Sequence, residues 1–275
     1  MRSSSRAQRS PKVAPDSHRI PSPRARPATT ALTWLGHATV LIELDGVRLL
    51  TDPVLRDRIG PLVRIAPSVD VEALGHIDCI LLSHLHADHA HLPSLRDLAD
   101  STAILAPRGA GPWLTRHGFE GVRELRPGSE VELGGLRVTA TPAAHAPRRR
   151  PLGPAAEPIG YIVRGSRSIY FAGDTDLFAA MSELRGTLDV ALLPVSGWGS
   201  RLGPGHLDPE RAAAAVATIE PAVAIPIHWG TLALGRPARR PTDPQRPARE
   251  FVARADRAAP GVHVRVLAPG ERTEL

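Results

Sequence analysis

Ten residues constrain this chain more than any others: Ile80-Leu81-Leu82-Ser83-His84-Leu85-His86-Ala87-Asp88-His89, an apolar run that ends in three histidines and an aspartate within six positions. Residues 79–82 have the length and apolarity of a strand buried on both faces. Histidines and a carboxylate at the end of such a strand cannot enter a core unpaired. Neutral imidazole and carboxylate together suit zinc or another first-row divalent ion, and the H-x-H-x-D-H spacing lets one loop present ligands in two directions.

The rest of the chain must then supply further ligands at other strand ends, where loops gather at one sheet edge. Three residues stand in such positions: His145 after an apolar run ending at Ala144, Asp174 after Ile169-Tyr170-Phe171-Ala172-Gly173, and His228 after Val223-Ala224-Ile225-Pro226-Ile227. Asp45-Gly46 between 39–44 and 47–51 predicts a two-residue hairpin turn. Further strands are expected at 103–106, 136–141, 159–163, 168–172, 190–194, 223–227 and 262–267. A helix capped by Asp208, with Pro209 in its first position, is expected to run to Ile219 before Pro221. Other helices are expected at 94–100, 110–117, 177–185 and 248–258. Interleaved strands and helices without a fixed repeat predict one layered α/β domain over 29–275, with 235–247 as a surface loop.

Charge bears on which partners to expect. The net charge is +6. Residues 1–28 hold seven of the 34 basic and one of the 28 acidic side chains, which leaves 27 of each beyond them. No basic footprint on the folded body is therefore required, and no stable nucleic-acid partner is expected. The segment 1–28, rich in Ser, Pro and Arg, reads as a disordered tail with at most a weak contact to an anionic surface or nucleic acid. It has no apolar core of a secretory signal, no run approaches a membrane span, and a single cysteine, Cys79, makes no internal disulfide. A cytoplasmic location is the expectation.

At this point the motifs carry a resemblance. Leu35-Gly36-His37-Ala38-Thr39-Val40, Leu50-Thr51-Asp52-Pro53, the H-x-H-x-D-H loop, Phe171-Ala172-Gly173-Asp174-Thr175, Gly205-His206-Leu207-Asp208-Pro209 and His228-Trp229-Gly230-Thr231 resemble the metallo-β-lactamase superfamily. The similarity is to its branch of N-acylphosphatidylethanolamine phospholipase D and the ascorbate-6-phosphate lactonases. The resemblance implies an αββα sandwich and two divalent ions, zinc first, with manganese or iron as alternatives. His84, His86 and His145 would hold one ion, Asp88, His89 and His228 the other, and Asp174 would bridge both.

Two such ions sustain a bridging hydroxide at neutral pH and stabilise the oxyanion that forms on attack at phosphorus or carbonyl carbon. A hydrolase acting on a small-molecule or lipid-derived phosphodiester or related ester is expected. A lactonase and a nucleic-acid-processing protein stand as alternatives. Asp52 and His37 match positions outside the ligand set, and Asp52 is read as orienting a ligand histidine. Asp88 and His206 are the candidate catalytic residues, His206 without metal ligation, at the end of a glycine-rich loop suited to a flap. Trp198 in that loop and Arg148, Arg149 and Arg150 beside His145 are candidate substrate contacts, the arginines as phosphate holders. His91 is expected on the surface.

Overall fold

The computed structural model describes residues 30–98, 102–149, 153–199, 202–235 and 242–275. The expected tail 1–28 and Arg150 lie outside them. The chain opens with a meander of β1 (Ala31–Gly36), β2 (Thr39–Leu44) and β3 (Val47–Thr51). Asp45 and Gly46 take φ of 51° and 83° in the turn, the positive values that an Asp-Gly hairpin requires. A small hairpin of β4 (Arg58–Ile59) and β5 (Leu62–Arg64) and helix α1 (Val71–Leu74) precede β6 (Cys79–Leu81). Helix α2 (Leu92–Asp97), β7 (Ala103–Pro107), α3 (Gly111–Arg116) and β8 (Val122–Leu125) follow.

The second half holds β9 (Glu130–Leu133), β10 (Leu136–Pro142), β11 (Ile159–Arg164), β12 (Ser168–Phe171), a 3-10 helix at Ala179–Leu184 and β13 (Val190–Pro194). Then come α4 (Pro209–Ile219), β14 (Val223–Ile227), β15 (Leu232–Leu234), α5 (Arg246–Ala258), β16 (His263–Val264) and β17 (Arg272–Glu274). Strands order as β17-β1-β2-β3-β6-β7-β8 in one sheet and β16-β14-β13-β12-β11-β10-β9 in the other, and β15-β5-β4 form a third, small sheet.

Side-chain alternation explains the layers. Val40, Ile42 and Leu44 of β2, Cys79 and Leu81 of β6 and Leu105 of β7 share one core with Val138, Tyr161, Val163 and Tyr170 of the second sheet. Their neighbours Leu41, Ile80, Leu82 and Ile104 point the other way, into a second core with Leu95, Trp113 and Leu114. The first sheet is thus buried on both faces, between α2–α3 and the second sheet. On the far face of the second sheet, α4 and α5 bury Ala212, Ala215, Val216 and Phe251. The result is the αββα sandwich. Among the described residues no helix is long and apolar enough to cross a membrane.

Several expected elements differ. Asp208 caps α4 as expected, accepting from Arg211 N at 2.8 Å. The helix expected at 94–100 is α2, beginning at Leu92 and ending at Asp97, and 177–185 forms only a 3-10 turn. The strand expected at 262–267 pairs only through His263 and Val264, and Val266 is exposed. His91 is buried and accepts from or donates to Ser94 Oγ at 2.8 Å, so its expected surface position is wrong: it sits under the start of α2.

Candidate metal centre

Each predicted ligand sits just beyond a strand, and strand direction brings these ends to one edge. β3 and β6 are parallel, and Asp52 and the 84–89 loop follow them directly. β10 and β12 are each antiparallel to β11, and β12, β13 and β14 are mutually parallel, so His145, Asp174 and His228 leave the second sheet on the same side. Backbone bonds fix the junctions: Leu82 N donates to Leu105 O at 2.9 Å, Asp52 N to Leu81 O at 3.0 Å, and His228 N to His37 O at 2.8 Å. Tyr161, buried between the sheets, donates its hydroxyl to Leu82 O at 2.7 Å.

The hydrogen bonds behind the rings determine what their front nitrogens can do. A carbonyl oxygen only accepts, so a ring nitrogen bonded to one must carry the proton and leave the other nitrogen with a bare lone pair when the ring is neutral. His86 Nε2 donates to Arg148 O at 2.9 Å, and His145 Nδ1 donates to Gly205 O at 2.7 Å. Ser83 Oγ donates to Asp52 Oδ2, which leaves it to accept from His84 Nδ1 at 2.9 Å. The bare nitrogens then converge: His84 Nε2 lies 2.9 Å from His86 Nδ1, which lies 3.0 Å from His145 Nε2.

A second set forms in the same way. His89 Nδ1 donates to Asp52 Oδ2 at 2.7 Å and His228 Nδ1 to Ser196 O at 2.7 Å, which places their Nε2 atoms 3.1 Å apart. Asp88 joins this set through Oδ2, 3.9 Å from His89 Nε2. Asp174 stands between the sets, with Oδ2 3.2 Å from His89 Nε2 and 4.0 Å from His145 Nε2, and Oδ1 3.2 Å from His228 Nε2. Buried Asp174 Oδ1 makes no hydrogen bond. Lone pairs facing one another around an orphaned carboxylate oxygen are repulsive unless a cation lies among them, so the residues present fit divalent ions.

Electrostatics agree with that reading. Burial pushes His84 and His228 below the ordinary imidazole range and His145 down to about 4, which favours the neutral ring that metal binding needs. Burial would raise Asp174, but His228 and His89 outweigh it and hold the carboxyl well below its usual range. Burial would likewise lower His89, yet without a cation Asp174 and Asp52 hold it well above. His37 is pushed down to about 3, mainly by burial, and its Nε2 pairs with Asp88 Oδ2 at 3.1 Å. Five non-glycine residues among those described have positive φ, and three of them are at the centre: His37 at 53°, Asp52 at 31° and His228 at 65°. Such backbone clusters where the surrounding structure enforces a site.

Comparison with known proteins decides the family. The β-lactamase superfamily domain model matches residues 47–229, which includes all seven predicted ligands. The chain belongs to the metallo-β-lactamase superfamily, as a metal-dependent hydrolase. It is 36% identical over 258 residues to a UPF0173 metal-dependent hydrolase of Methanopyrus kandleri, covering 88% of this chain and 99% of that one. It is 31% identical over 230 residues to N-acyl-phosphatidylethanolamine-hydrolyzing phospholipase D 1 of Caenorhabditis elegans, covering 74% of this chain and 64% of that one. The structure of Igni18, a metallo hydrolase of Ignicoccus hospitalis, superposes with a TM-score of 0.68 at 26% identity, covering 90% of this chain and 98% of that chain.

Within this metallo-β-lactamase frame the structure brings His84, His86, Asp88, His89, His145, Asp174 and His228 to one cluster. Asp52 lies behind it and touches both sets, directly through His89 and through Ser83 to His84. His37 lies behind the second set. His206 also reaches the cluster: its Nδ1 donates to Gly203 O at 3.0 Å and its Nε2 lies 3.5 Å from Asp174 Oδ2. That bond to Asp174 raises the imidazole above its ordinary value.

Trp198 lies over the cleft beside the cluster. Of the arginine triplet, Arg148 and Arg149 are among the described residues, and Arg149 lines the cleft. Arg148 contributes its backbone carbonyl to His86. The Arg149 guanidinium donates to Leu85 O and Ala90 O and stacks 4.5 Å over Trp113, bracing the metal loop. Ser83, whose hydroxyl relays Asp52 to His84, escaped the sequence reading although its place beside the first ligand was a usable signal. The carbonyls of Ser196 and Gly205 carry no residue-type signal at all.

Proposed function

We propose that this protein is a dinuclear metal-dependent hydrolase of a phosphodiester or related ester. The observation that carries the reading is the convergence of five imidazole nitrogens, in two sets, on the carboxylates of Asp88 and Asp174. His84, His86 and His145 would hold one ion and Asp88, His89 and His228 the other, with Asp174 available to both. Zinc suits this nitrogen-rich set, with manganese or iron as substitutes. Such ions would supply an activated water and polarise the ester oxygen at neutral pH. The named activity of the 31% identical phospholipase D supports a phosphorus centre over a lactone carbonyl.

The chain's own residues do the rest. Asp88, whose Oδ2 accepts from His37, keeps Oδ1 to accept a hydrogen bond from a water and orient it. Asp52 and His37 hold the ligand side chains from behind, so little reorganisation accompanies reaction. His206 holds a proton at Nε2 on the open side of Asp174, within reach of a departing alkoxide.

Metal analysis of purified protein, followed by assays of phosphodiesters, phosphomonoesters and lactones on the same sample, tests this. Two ions per chain and turnover of a diester are expected. A saturating value near one that Asp88→Ala leaves unchanged would remove the second site, and turnover confined to lactones would replace the substrate class.

A further inference from the structure

The cleft above the metal cluster measures about 390 Å³, near the small end of the roughly 300–1,000 Å³ of small-molecule sites. Beyond its metal-binding floor and apart from Arg149 and His206, the described walls are apolar. The small third sheet and its turn contribute Ile59, Pro61 and Leu62, and the glycine-rich loop contributes Trp198 and Leu202. Both walls are built in advance. Ile59 and Leu62 pack with Val54 and Leu232 in a core of their own. Arg64 ties that sheet to the sandwich by donating to Leu35 O at 3.1 Å and Val54 O at 2.6 Å. In the loop, a Cβ added at Gly197 would stand 2.9 Å from Leu202 Cδ2, so the backbone closes tightly against the leucine and fixes its place in the wall.

Among the described lining residues the one arginine is Arg149, whose guanidinium is committed to the carbonyls of Leu85 and Ala90 and to the face of Trp113. The other described lining residue that can carry positive charge outside the ligand set is His206, beside Asp174 at the foot of the cleft. Trp198, 41% exposed, is one of two large hydrophobic side chains left to solvent among the described residues. Its indole offers a flat apolar face that a ligand ring would cover.

We propose that this cleft selects a compact apolar substituent, an aryl or branched alkyl group, on an ester. Substrates that are small and polar are discriminated against. The cleft is too small for long acyl chains to lie within it. This selectivity rests on the hydrolase reading of the floor. It adds Trp198 and Leu202 as the residues that set specificity.

The test uses zinc-loaded full-length protein and two monoanionic probes without a scissile bond, dimethylphosphinate and methylphenylphosphinate, by titration calorimetry. The phenyl compound should bind about ten-fold more tightly or better, the scale of partly burying one ring. That ratio should fall toward one in Trp198→Ala and in Leu202→Ala, with metal content reporting that each variant is folded. Equal affinities in the wild type, a ratio unmoved in both variants, or binding of neither probe overturns the proposal. Methyl and phenyl 4-nitrophenyl phosphodiesters separate it from the reading beneath. Equal kcat/KM on the two would sink the selectivity and keep the hydrolase. Phenyl-selective binding without turnover of any ester would do the reverse.

Discussion

At the scale of single residues, the centre is governed by the groups behind the ligands. Asp52 accepts from Ser83 N, Ser83 Oγ and His89 Nδ1, and Ser83 in turn accepts from His84, so one carboxylate orients a ligand in each set. His37 touches only the second set, through Asp88 and through the backbone of His228. Asp52→Ala should therefore weaken both sites by roughly 10- to 100-fold, and His37→Ala the second site alone. Chelator-competition titrations resolve the two affinities; a loss confined to one site in Asp52→Ala would contradict the relay through Ser83. His206 differs from both, since its proton faces the open cleft. His206→Ala should keep two metals while kcat/KM falls by about 10²-fold. Wild-type turnover would make His206 a bystander, and a lost ion would make it a ligand.

Among elements, the loop from Ser196 to His206 is the one most closely bound to the chemistry. Its two ends are pinned, Ser196 O by His228 and Gly205 O by His145, one anchor on each set of histidines. Gly205 has φ of 83°, and a Cβ there would stand 3.1 Å from His145 Cα and 3.2 Å from its Nδ1. Gly205→Ala should weaken the ion held by His145 about ten-fold and cost on the order of 1 kcal/mol of stability. Gly203→Ala, which meets nothing within 4 Å, should keep metal affinity; equal losses in the two variants would show a general loop effect. Such anchors were not legible in the sequence, because a carbonyl belongs to every residue. The residues that meet in the cluster were, since His145, Asp174 and His228 each break an apolar run. Long buried strands such as β13 and β14 were read to the residue, whereas the acidic edge strand β9 was hidden by its Glu130 and Glu132. β17 was missed because only its pairing with Ala31–Thr33, remote in sequence, makes it a strand.

The whole molecule joins a formally balanced body to a buried histidine cluster, so local titration, rather than net charge, sets its response to acid near neutrality. In the metal-free chain burial lowers His37 to about 3 and His91 and His145 to about 4, and it lowers His84, His86 and His228 as well. Each of these binds protons near pH 6.5 when unfolded and resists them when folded. The unfolded chain therefore gains protons first as pH falls, and the stability present above pH 6.5 is lost progressively down to about pH 4 and below. His89 and His206 act with the opposite sign, because Asp174 raises both; their contribution is complete below the unfolded value and is lost as pH rises through the folded one. Six groups against two decide the direction. Asp88 and Asp174, held below the carboxylate range despite burial, withdraw a further contribution in stronger acid. Urea unfolding of the metal-free protein should show stability declining steadily from pH 6.5 to 4.5. The decline should be steeper for zinc-loaded protein, because the ligand imidazoles must stay deprotonated to hold the ions. Metal-free stability that rises as pH falls below 6.5 would mean that burial does not keep these six histidines neutral in the folded chain.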